Sequence, residues 1–182
     1  GAAIAEILFG GANPEGKLPI TFYQTTEELP EFTDYAMKGR TYRYMENEAL
    51  YPFGYGLSYT TYAYGNLECV KPFDAQDGIT LQVTVTNTGD REGTETLQVY
   101  VKAKREGTPN PQLKYVKKIT LKPGESVTEE IHLSPEAFML YDEKGNFTLE
   151  KGAYDIFVGG CQPDARSAAL TGNAPQKLTV TY

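Results

Sequence analysis

The chain has 182 residues, of which 40% are hydrophobic, and it carries a formal net charge of −7 at pH 7. This hydrophobic fraction suits a soluble globular core, and no apolar run approaches the roughly 18–20 residues of a membrane-spanning helix. Nucleic acids and anionic membrane surfaces bind clusters of Lys and Arg. The acidic balance therefore argues against both as partners.

Residues 1–23 are predicted to form a helix, a turn and a strand. Three apolar residues share one helical face, namely Ile4, Ile7 and Leu8. Gly10 and Gly11 end the helix, and a Pro-Glu-Gly turn follows. Three apolar residues then alternate as in a strand with one buried face: Leu18, Ile20 and Phe22. No capping residue precedes the helix, so we interpret the unit as part of a larger α/β structure and the chain as the tail of a larger protein.

Residues 24–60 are irregular and rich in Tyr, Phe, Pro and Gly. Within them, Arg40–Tyr44 and Ala49–Tyr51 flank a Met-Glu-Asn-Glu turn, which predicts a small hairpin or extended arm. Gly54 and Gly56 lie between aromatic residues. This spacing is typical of a chain that turns tightly against a packed surface.

From residue 62 onward the hydrophobic pattern has period two and indicates short strands. Seven are predicted: Tyr62–Val70, Ile79–Asn87, Thr94–Lys102, Lys114–Leu121, Ser126–Leu133, Ala153–Val158 and Lys177–Tyr182. Turn residues separate them, and one helical turn is expected at Ser134–Leu140. The clearest alternation places four residues inward: Ile79, Leu81, Val83 and Val85. The pattern predicts a mainly β fold, a seven-stranded sandwich of the fibronectin type III or immunoglobulin kind.

Few residues of the chain are candidates for catalysis, metal binding or disulfide formation. Cys69 and Cys161 are too few for a disulfide framework, and neither lies in a CxxC pair or a Cys/His cluster of the kind that binds zinc. Two reduced thiols weakly favour the cytoplasm, although secretion stays open because the N-terminus of the parent is missing. His132, the single histidine, alternates with Ile131 and Leu133 and is expected on the solvent side of a strand. The chain therefore offers no Ser-His-Asp or Cys-His constellation.

Five blocks of sequence resemble, in order, segments of the family 3 glycoside hydrolases. They are Ala5–Phe22 (AEILFGGANPEGKLPITF), Gly39–Tyr44 (GRTYRY), Leu50–Thr60 (LYPFGYGLSYT), Leu113–Ser126 and Glu150–Gly160. The first is similar to the LFG-x-x-NP-x-GKLP-x-TF segment of that family, and the last two to its fibronectin type III-like terminal domain. Together they span essentially the whole chain.

The resemblance implies the C-terminal portion of a β-glucosidase or β-xylosidase. Residues 1–23 would end the α/β sandwich domain, residues 24–60 would be an aromatic linker, and residues 61–182 would form the fibronectin type III-like domain. The family's Asp nucleophile lies on a (β/α)8 barrel and its Glu acid/base on the α/β sandwich domain, about 5 Å apart for retaining chemistry. Both would lie outside this chain. We therefore expect no catalytic residue, no metal site and no cofactor here, and assign no substrate-binding residue.

Acidic neighbours within the chain do not replace that pair. Glu46 and Glu48 flank one turn, and Asp142 and Glu143 lie beside another. With 24 acidic residues in the chain, such neighbours are expected without function. Nothing in the sequence indicates the unequal environments that separate an acid from a base. Our interpretation of these residues is structural.

Two functions remain in competition. The first is a scaffold that braces the catalytic domains of an exo-acting β-glycosidase. The second is a carbohydrate-binding module, in which eight aromatic residues would stack on sugars: Tyr42, Tyr44, Tyr51, Phe53, Tyr55, Tyr59, Tyr62 and Tyr64. Tyrosines with glycines between them more often form an interdomain packing seam, and tryptophan is absent. The first hypothesis is favoured.

The apolar side chains of residues 1–23 are expected to need a cover. Three are considered: the sandwich itself through the aromatics at 51–59, a second copy of the chain in a homodimer, and the remainder of the parent glycosidase with its barrel and α/β sandwich domain. A β-linked oligosaccharide is expected as a partner only through the intact parent. Residues 34–44 and 159–167 look slightly more like the β-xylosidase members, which leaves glucose or xylose open.

Overall fold

A computed structural model describes residues 1–182. The helices are α1 (Ala2–Leu8), α2 (Thr41–Tyr44) and α3 (Ala165–Thr171), with 3₁₀ turns at Thr26–Glu28 and Pro135–Phe138. The strands are β1 (Tyr62–Asp74), β2 (Gly78–Asn87), β3 (Gly93–Ala103), β4 (Gln112–Leu121), β5 (Ser126–Leu133), β6 (Leu140–Tyr141), β7 (Phe147–Thr148), β8 (Ala153–Gly159) and β9 (Gln176–Thr181). No helix is long and apolar enough to cross a membrane.

Seven of the strands form two antiparallel sheets that enclose one hydrophobic core. The three-stranded sheet has the order β1-β2-β5 and the four-stranded sheet the order β4-β3-β8-β9. The four inward residues predicted on β2 are all fully buried, and they pack with residues of the other sheet such as Leu97, Val99 and Ile156. The predicted seven-stranded sandwich is confirmed.

Strand β3 is buried on both of its faces, although the outer face of a sandwich sheet usually meets solvent. Leu97, Val99 and Val101 point into the core. On the opposite face Gln98 and Tyr100 are also buried, at 2% and 0% exposure. Part of the 42–55 segment lies over this outer face. The segment before the sandwich therefore packs onto it as a second layer.

The predicted strand over residues 18–22 does not form. The backbone makes strand-like hydrogen bonds only at Leu18, to Gly54 and Tyr55, and at Phe22, to Leu50 and Tyr51. The missing bonds are those of Ile20, because the opposite segment turns there, with the Tyr55 N–H donating to the Pro52 carbonyl at 3.2 Å. Ile20 is exposed instead of buried. This part of the prediction is wrong.

The predicted arm at residues 40–44 is instead the single helical turn α2. Asn110, in the β3–β4 loop, holds this turn in place. Its side-chain nitrogen donates to the carbonyls of Tyr42 and Met45, at 3.1 and 2.8 Å, and its backbone N–H donates to Arg43. A contact between residues so distant in sequence could not be inferred from the local pattern.

Helix α3 and the short hairpin β6–β7 were not predicted. The sequence does carry signals for α3. Asp164 caps its first turn by accepting from the Ser167 N–H at 2.6 Å, and Gly172 ends it in the left-handed conformation, with φ of 72°. The expected helical turn near Ser134–Leu140 is present as the 3₁₀ turn.

The histidine, the cysteines and the acidic neighbours considered as candidate functional residues lie on strands, turns and loops. His132 is exposed on β5, as predicted. Both cysteines are free, Cys69 exposed on β1 and Cys161 buried just after β8. Glu46 and Glu48 are exposed on a loop. The Asp142 carboxylate accepts hydrogen bonds within the β6–β7 turn, chiefly from the side chain of Asn146, and these lower its pKa.

Candidate interdomain interface

Five aromatic residues, four on the linker and Tyr100 on the four-stranded sheet, form a layer made of two groups of rings. We call this layer the aromatic seam; its members are Tyr42, Tyr51, Phe53, Tyr55 and Tyr100. Tyr42 and Phe53 stack with their ring centroids 4.2 Å apart, and Tyr42 meets Tyr100 edge-on at 6.3 Å. Tyr51 and Tyr55 stack at 5.8 Å. The rings thus pack on one another and on the sheet, as in an interdomain contact.

Gln98 fastens the seam to the sandwich. Its side-chain nitrogen donates to the carbonyls of Gly54, at 3.0 Å, and Gly160, at 2.7 Å. Its side-chain oxygen accepts from the Tyr100 hydroxyl at 2.6 Å. One amide therefore joins the linker, strand β3 and the loop after β8. Burial raises the pKa of Tyr100, so its hydroxyl stays a proton donor.

The backbone conformation of Gly54 and its lack of a side chain permit this contact. Its φ of +76° is a conformation that L-residues other than glycine rarely adopt, and an added Cβ would lie 2.2 Å from the Gln98 side-chain oxygen. A side chain at this position would both strain the backbone and displace the amide. The linker can therefore lie this close to the sheet only because Gly54 has no side chain.

The start of the chain attaches through polar contacts to the sandwich and to Tyr59 at the end of the linker. The Arg91 guanidinium donates to the carbonyl of Gly10 at 3.1 Å, and the Tyr59 hydroxyl donates to that of Ile7 at 2.7 Å. The Asn13 side-chain oxygen accepts from the Tyr59 N–H at 2.8 Å. Residues 1–23 were expected to meet the sandwich through the aromatics at 51–59, and the Tyr59 bonds and the edge-on contact of Phe22 with Tyr51, ring centroids 6.1 Å apart, agree with this expectation.

A buried ion pair lies at the end of this attachment. The Lys17 ammonium is 3.4 Å from the carboxylate of Glu95, which also accepts from the Tyr64 hydroxyl at 3.0 Å. Glu95 is only 4% exposed, and burial raises the pKa of its carboxyl against the opposing effect of Lys17. Gly160 leaves the room for it, since a Cβ there would lie 2.3 Å from the carboxylate oxygen.

This raised pKa predicts how stability changes with pH. The folded state holds the Glu95 proton to a higher pH than the unfolded chain, whose reference value is 4.5. The stabilisation from this group is therefore complete below pH 4.5 and is lost as the pH rises through the folded pKa. We expect the unfolding free energy of wild type, relative to the Glu95→Gln variant, to fall between pH 4.5 and 7 in urea titrations. A constant difference across this range would contradict the raised pKa.

A large part of the apolar surface before the sandwich has no cover. Leu8 and Phe9, at the end of α1, are 73% and 90% exposed, and Ile4 is 66% exposed. Phe32 and Tyr35, in the loop that follows, are 93% and 88% exposed. Fully burying each such side chain contributes about 1.5–3 kcal/mol. The polar attachment of residues 10–18 leaves this surface free to pack against something else.

Sequence reasoning found the aromatic residues of the linker but missed the groups on the sandwich that receive them. Gln98 and Tyr100 lie on β3, as does Glu95, the partner of Lys17, and the near-continuous burial of this strand differs from the alternation on β2. A run of apolar residues interrupted by Gln and Tyr is the signal that could have indicated a strand covered on both faces. Lys17 appeared only within the Ala5–Phe22 block, and its pairing with a buried carboxylate was not predicted.

Two family models match parts of the chain. The family model described as the glycosyl hydrolase family 3 C-terminal domain matches residues 1–59, and the fibronectin type III-like domain matches residues 95–162. A xylan 1,4-beta-xylosidase of Xylanibacter ruminicola is 41% identical over 175 residues, covering 94% of this chain and 20% of that protein. A periplasmic beta-glucosidase of Salmonella typhimurium is 39% identical, covering 87% of this chain and 23% of that protein.

Solved structures agree with the sequence comparison. The beta-glucosidase from Listeria innocua in complex with glucose superposes with a TM-score of 0.78 at 29% identity, over 98% of this chain and 25% of that one. Beta-glucosidase D2-BGL from Chaetomella raphigera gives 0.81 at 26% identity, over 100% of this chain and 28% of that one.

The structure is a fibronectin type III-like sandwich preceded by a segment that matches the C-terminal domain of glycosyl hydrolase family 3. The chain belongs to glycosyl hydrolase family 3 and corresponds to a C-terminal portion of its β-glucosidases and β-xylosidases. It spans 20% and 23% of the length of the two curated relatives named above. The resemblance stated from the sequence is confirmed.

Proposed function

We propose that this chain is the non-catalytic structural portion of an exo-acting β-glycosidase. The complete enzyme would release terminal β-linked glucose or xylose from oligosaccharides. The exposed apolar surface of α1 carries this proposal, because it lies in the segment that matches the family's C-terminal domain. Relatives named beta-xylosidase and beta-glucosidase support the two candidate sugars.

The proposed division of the chain has three parts. Residues 1–23 belong to the α/β sandwich domain, residues 24–60 form the linker, and residues 61–182 form the fibronectin type III-like domain. The start of β1 at Tyr62 and the end of the family match at residue 59 support the second boundary. In this arrangement the contacts of the seam hold the sandwich in a fixed position relative to the catalytic domains.

The proposed cover of α1 is the remainder of the same protein. Its exposed side chains are aliphatic and aromatic, with Leu8 next to Phe9, and they suit a hydrophobic domain interface. Since the matched relatives are much longer than this chain, such an interface partner would be present in a full-length protein. A homodimer contact through the same surface is the competing cover.

The carbohydrate-binding alternative rests on the aromatic residues between 42 and 64. Several of their rings already have protein partners: Tyr42 stacks on Phe53, and the Arg91 guanidinium lies 5.6 Å from the centre of the Tyr59 ring. Sugar stacking needs a free ring face. In the full-length enzyme, Phe53→Ala should lower heat stability while substrate affinity is kept. Retained stability with weaker polysaccharide pull-down would favour the binding module.

If the chain braces the catalytic domains, the heat stability of the full-length enzyme should depend on the apolar side chains of α1. In the full-length enzyme, the double change Leu8→Ser and Phe9→Ser should lower the temperature of thermal inactivation by about 10 °C, because two apolar side chains leave an interface. The KM for substrate should stay within about twofold, because the double change removes no group that is proposed to bind the substrate. Residual activity after heating, and initial rates, measure the two quantities.

Glu6→Ser is the matched control, since Glu6 is an exposed polar residue on the same helix. It changes helix propensity without removing apolar surface, and we expect little shift. Equal inactivation temperatures for wild type and the double variant would contradict the proposed interface. Assays of the full-length enzyme on aryl β-xyloside and aryl β-glucoside would decide the sugar, and hydrolysis of neither would refute the proposed activity.

A further inference from the structure

Strand β3 has an open edge at its beginning, and residues 13–17 lie along it. β3 pairs with β4 from Gly93 onward, but it pairs with β8 only from Gln98 onward. Between these points, one edge of β3 has no neighbouring strand. The backbone N–H of Thr94 donates to the Glu15 carboxylate at 3.1 Å. A side chain thus occupies the place of a strand partner at an edge that would otherwise be free to pair.

Every second residue from 13 to 17 contacts this part of the chain, and the partners, at positions 92, 94 and 95, follow in the same order. The Asn13 amide donates to the carbonyl of Glu92 at 3.4 Å, Glu15 accepts from Thr94, and Lys17 lies 3.4 Å from Glu95. The two segments therefore run in the same direction, matched through side chains at positions 13, 15 and 17. A slip by one residue would bring Pro14 and Gly16 to these places, and neither can make any of the three contacts.

The ion pair at the end of this series is not an obvious source of stability. Glu95 is 4% exposed, and removing two charges from water opposes their mutual attraction. Replacing a buried ion pair with apolar groups of similar volume is often neutral or stabilising. Removing one partner is strongly destabilising, because the other charge is left buried. The best-attested use of such groups is to select one register among several.

We propose that the Lys17–Glu95 pair, with the Asn13 and Glu15 contacts, fixes the register of residues 13–17 along the open edge of β3 and so positions helix α1, without adding net stability. Residues 10–18 connect α1 to this edge, so their register sets where the exposed surface of α1 points. The inference concerns how the segment docks and does not depend on glycosidase activity.

Hydrogen exchange read by mass spectrometry in the full-length protein, together with thermal unfolding, tests the proposal. The single change Lys17→Met should raise exchange in peptides covering residues 10–18 about a hundredfold, because the Glu95 charge loses its partner. The double change Lys17→Met and Glu95→Leu should restore the wild-type unfolding midpoint. Exchange in the same peptides should nevertheless stay at least about tenfold faster than in wild type, since the register is no longer selected.

The exposed pair Lys71–Asp77, 2.9 Å apart, provides the matched control. Lys71→Met with Asp77→Leu should leave exchange at 10–18 unchanged. Wild-type protection of residues 10–18 in the Lys17/Glu95 double variant would overturn the role in register. A double variant whose unfolding midpoint stays below that of wild type would show that the pair supplies net stability, which also overturns the proposal. If Lys17→Met alone does not fold, the double variant still decides both points.

Discussion

Replacing Gly54 with alanine should destabilise the sandwich by about 3–5 kcal/mol, through backbone strain and loss of hydrogen bonds. Gly54 has a φ of +76°, and the new Cβ would lie 2.2 Å from the Gln98 side-chain oxygen and 2.9 Å from the Tyr100 hydroxyl. The linker must then move away from the sheet, and the Gln98 amide loses its bond to the Gly54 carbonyl. Equilibrium unfolding in urea measures the change.

Gly107→Ala separates the two causes. Gly107 has a similar φ of +74°, but nothing lies within 4 Å of an added Cβ. Its substitution should therefore show only the conformational cost, about 1–2 kcal/mol. If Gly54→Ala were no more destabilising than Gly107→Ala, the close packing of linker and sheet would not be as described.

Replacing Gln98 with leucine should be similarly damaging, by about 3–5 kcal/mol in the same assay. Leucine has a similar size but cannot form the three hydrogen bonds of the amide. The carbonyls of Gly54 and Gly160 and the hydroxyl of Tyr100 would be left buried without partners. Each unsatisfied group costs about 1–3 kcal/mol, and part of the loss would be relieved by water entering the seam.

Gln82→Leu is the control for this change. Gln82 occupies the outer face of β2, between Glu68 and Glu130, and is half-buried. Its replacement removes the same polar group from a strand without breaking a junction between segments. We expect a change within about 0.5 kcal/mol. A comparably small effect at Gln98 would show that its amide does not hold the linker.

The sandwich itself could be predicted from the sequence because its strands are amphipathic. On β2, buried residues such as Leu81 and Val83 alternate with partly exposed ones such as Gln82, which is the pattern of a strand with one solvated face. Turn residues bounded each of the seven strands closely enough to fix their number. The family resemblance then agreed with a fold already indicated by period and spacing.

The interface was less predictable because its parts are distant in sequence. Gln98 contacts Gly54 and Gly160, 44 and 62 residues away, and no local pattern relates them. The strand expected at Leu18–Phe22 was wrong for a related reason: Ile20 and Phe22 are exposed, and the path depends on a turn at Pro52 in a distant part of the sequence. Helix α3 was different, since its cap at Asp164 was visible and was overlooked.

The apolar surface of α1 is proposed as an interface with the catalytic part of a longer glycosidase. The most direct measurement is hydrogen exchange in the peptide covering residues 1–9, compared between the full-length enzyme and the 182-residue chain. Such an interface predicts strong protection in the full-length enzyme at every protein concentration, and free exchange in the 182-residue chain. Equal, fast exchange in both would contradict it, and so would protection that disappears on dilution of the full-length enzyme, which would indicate a homodimer contact.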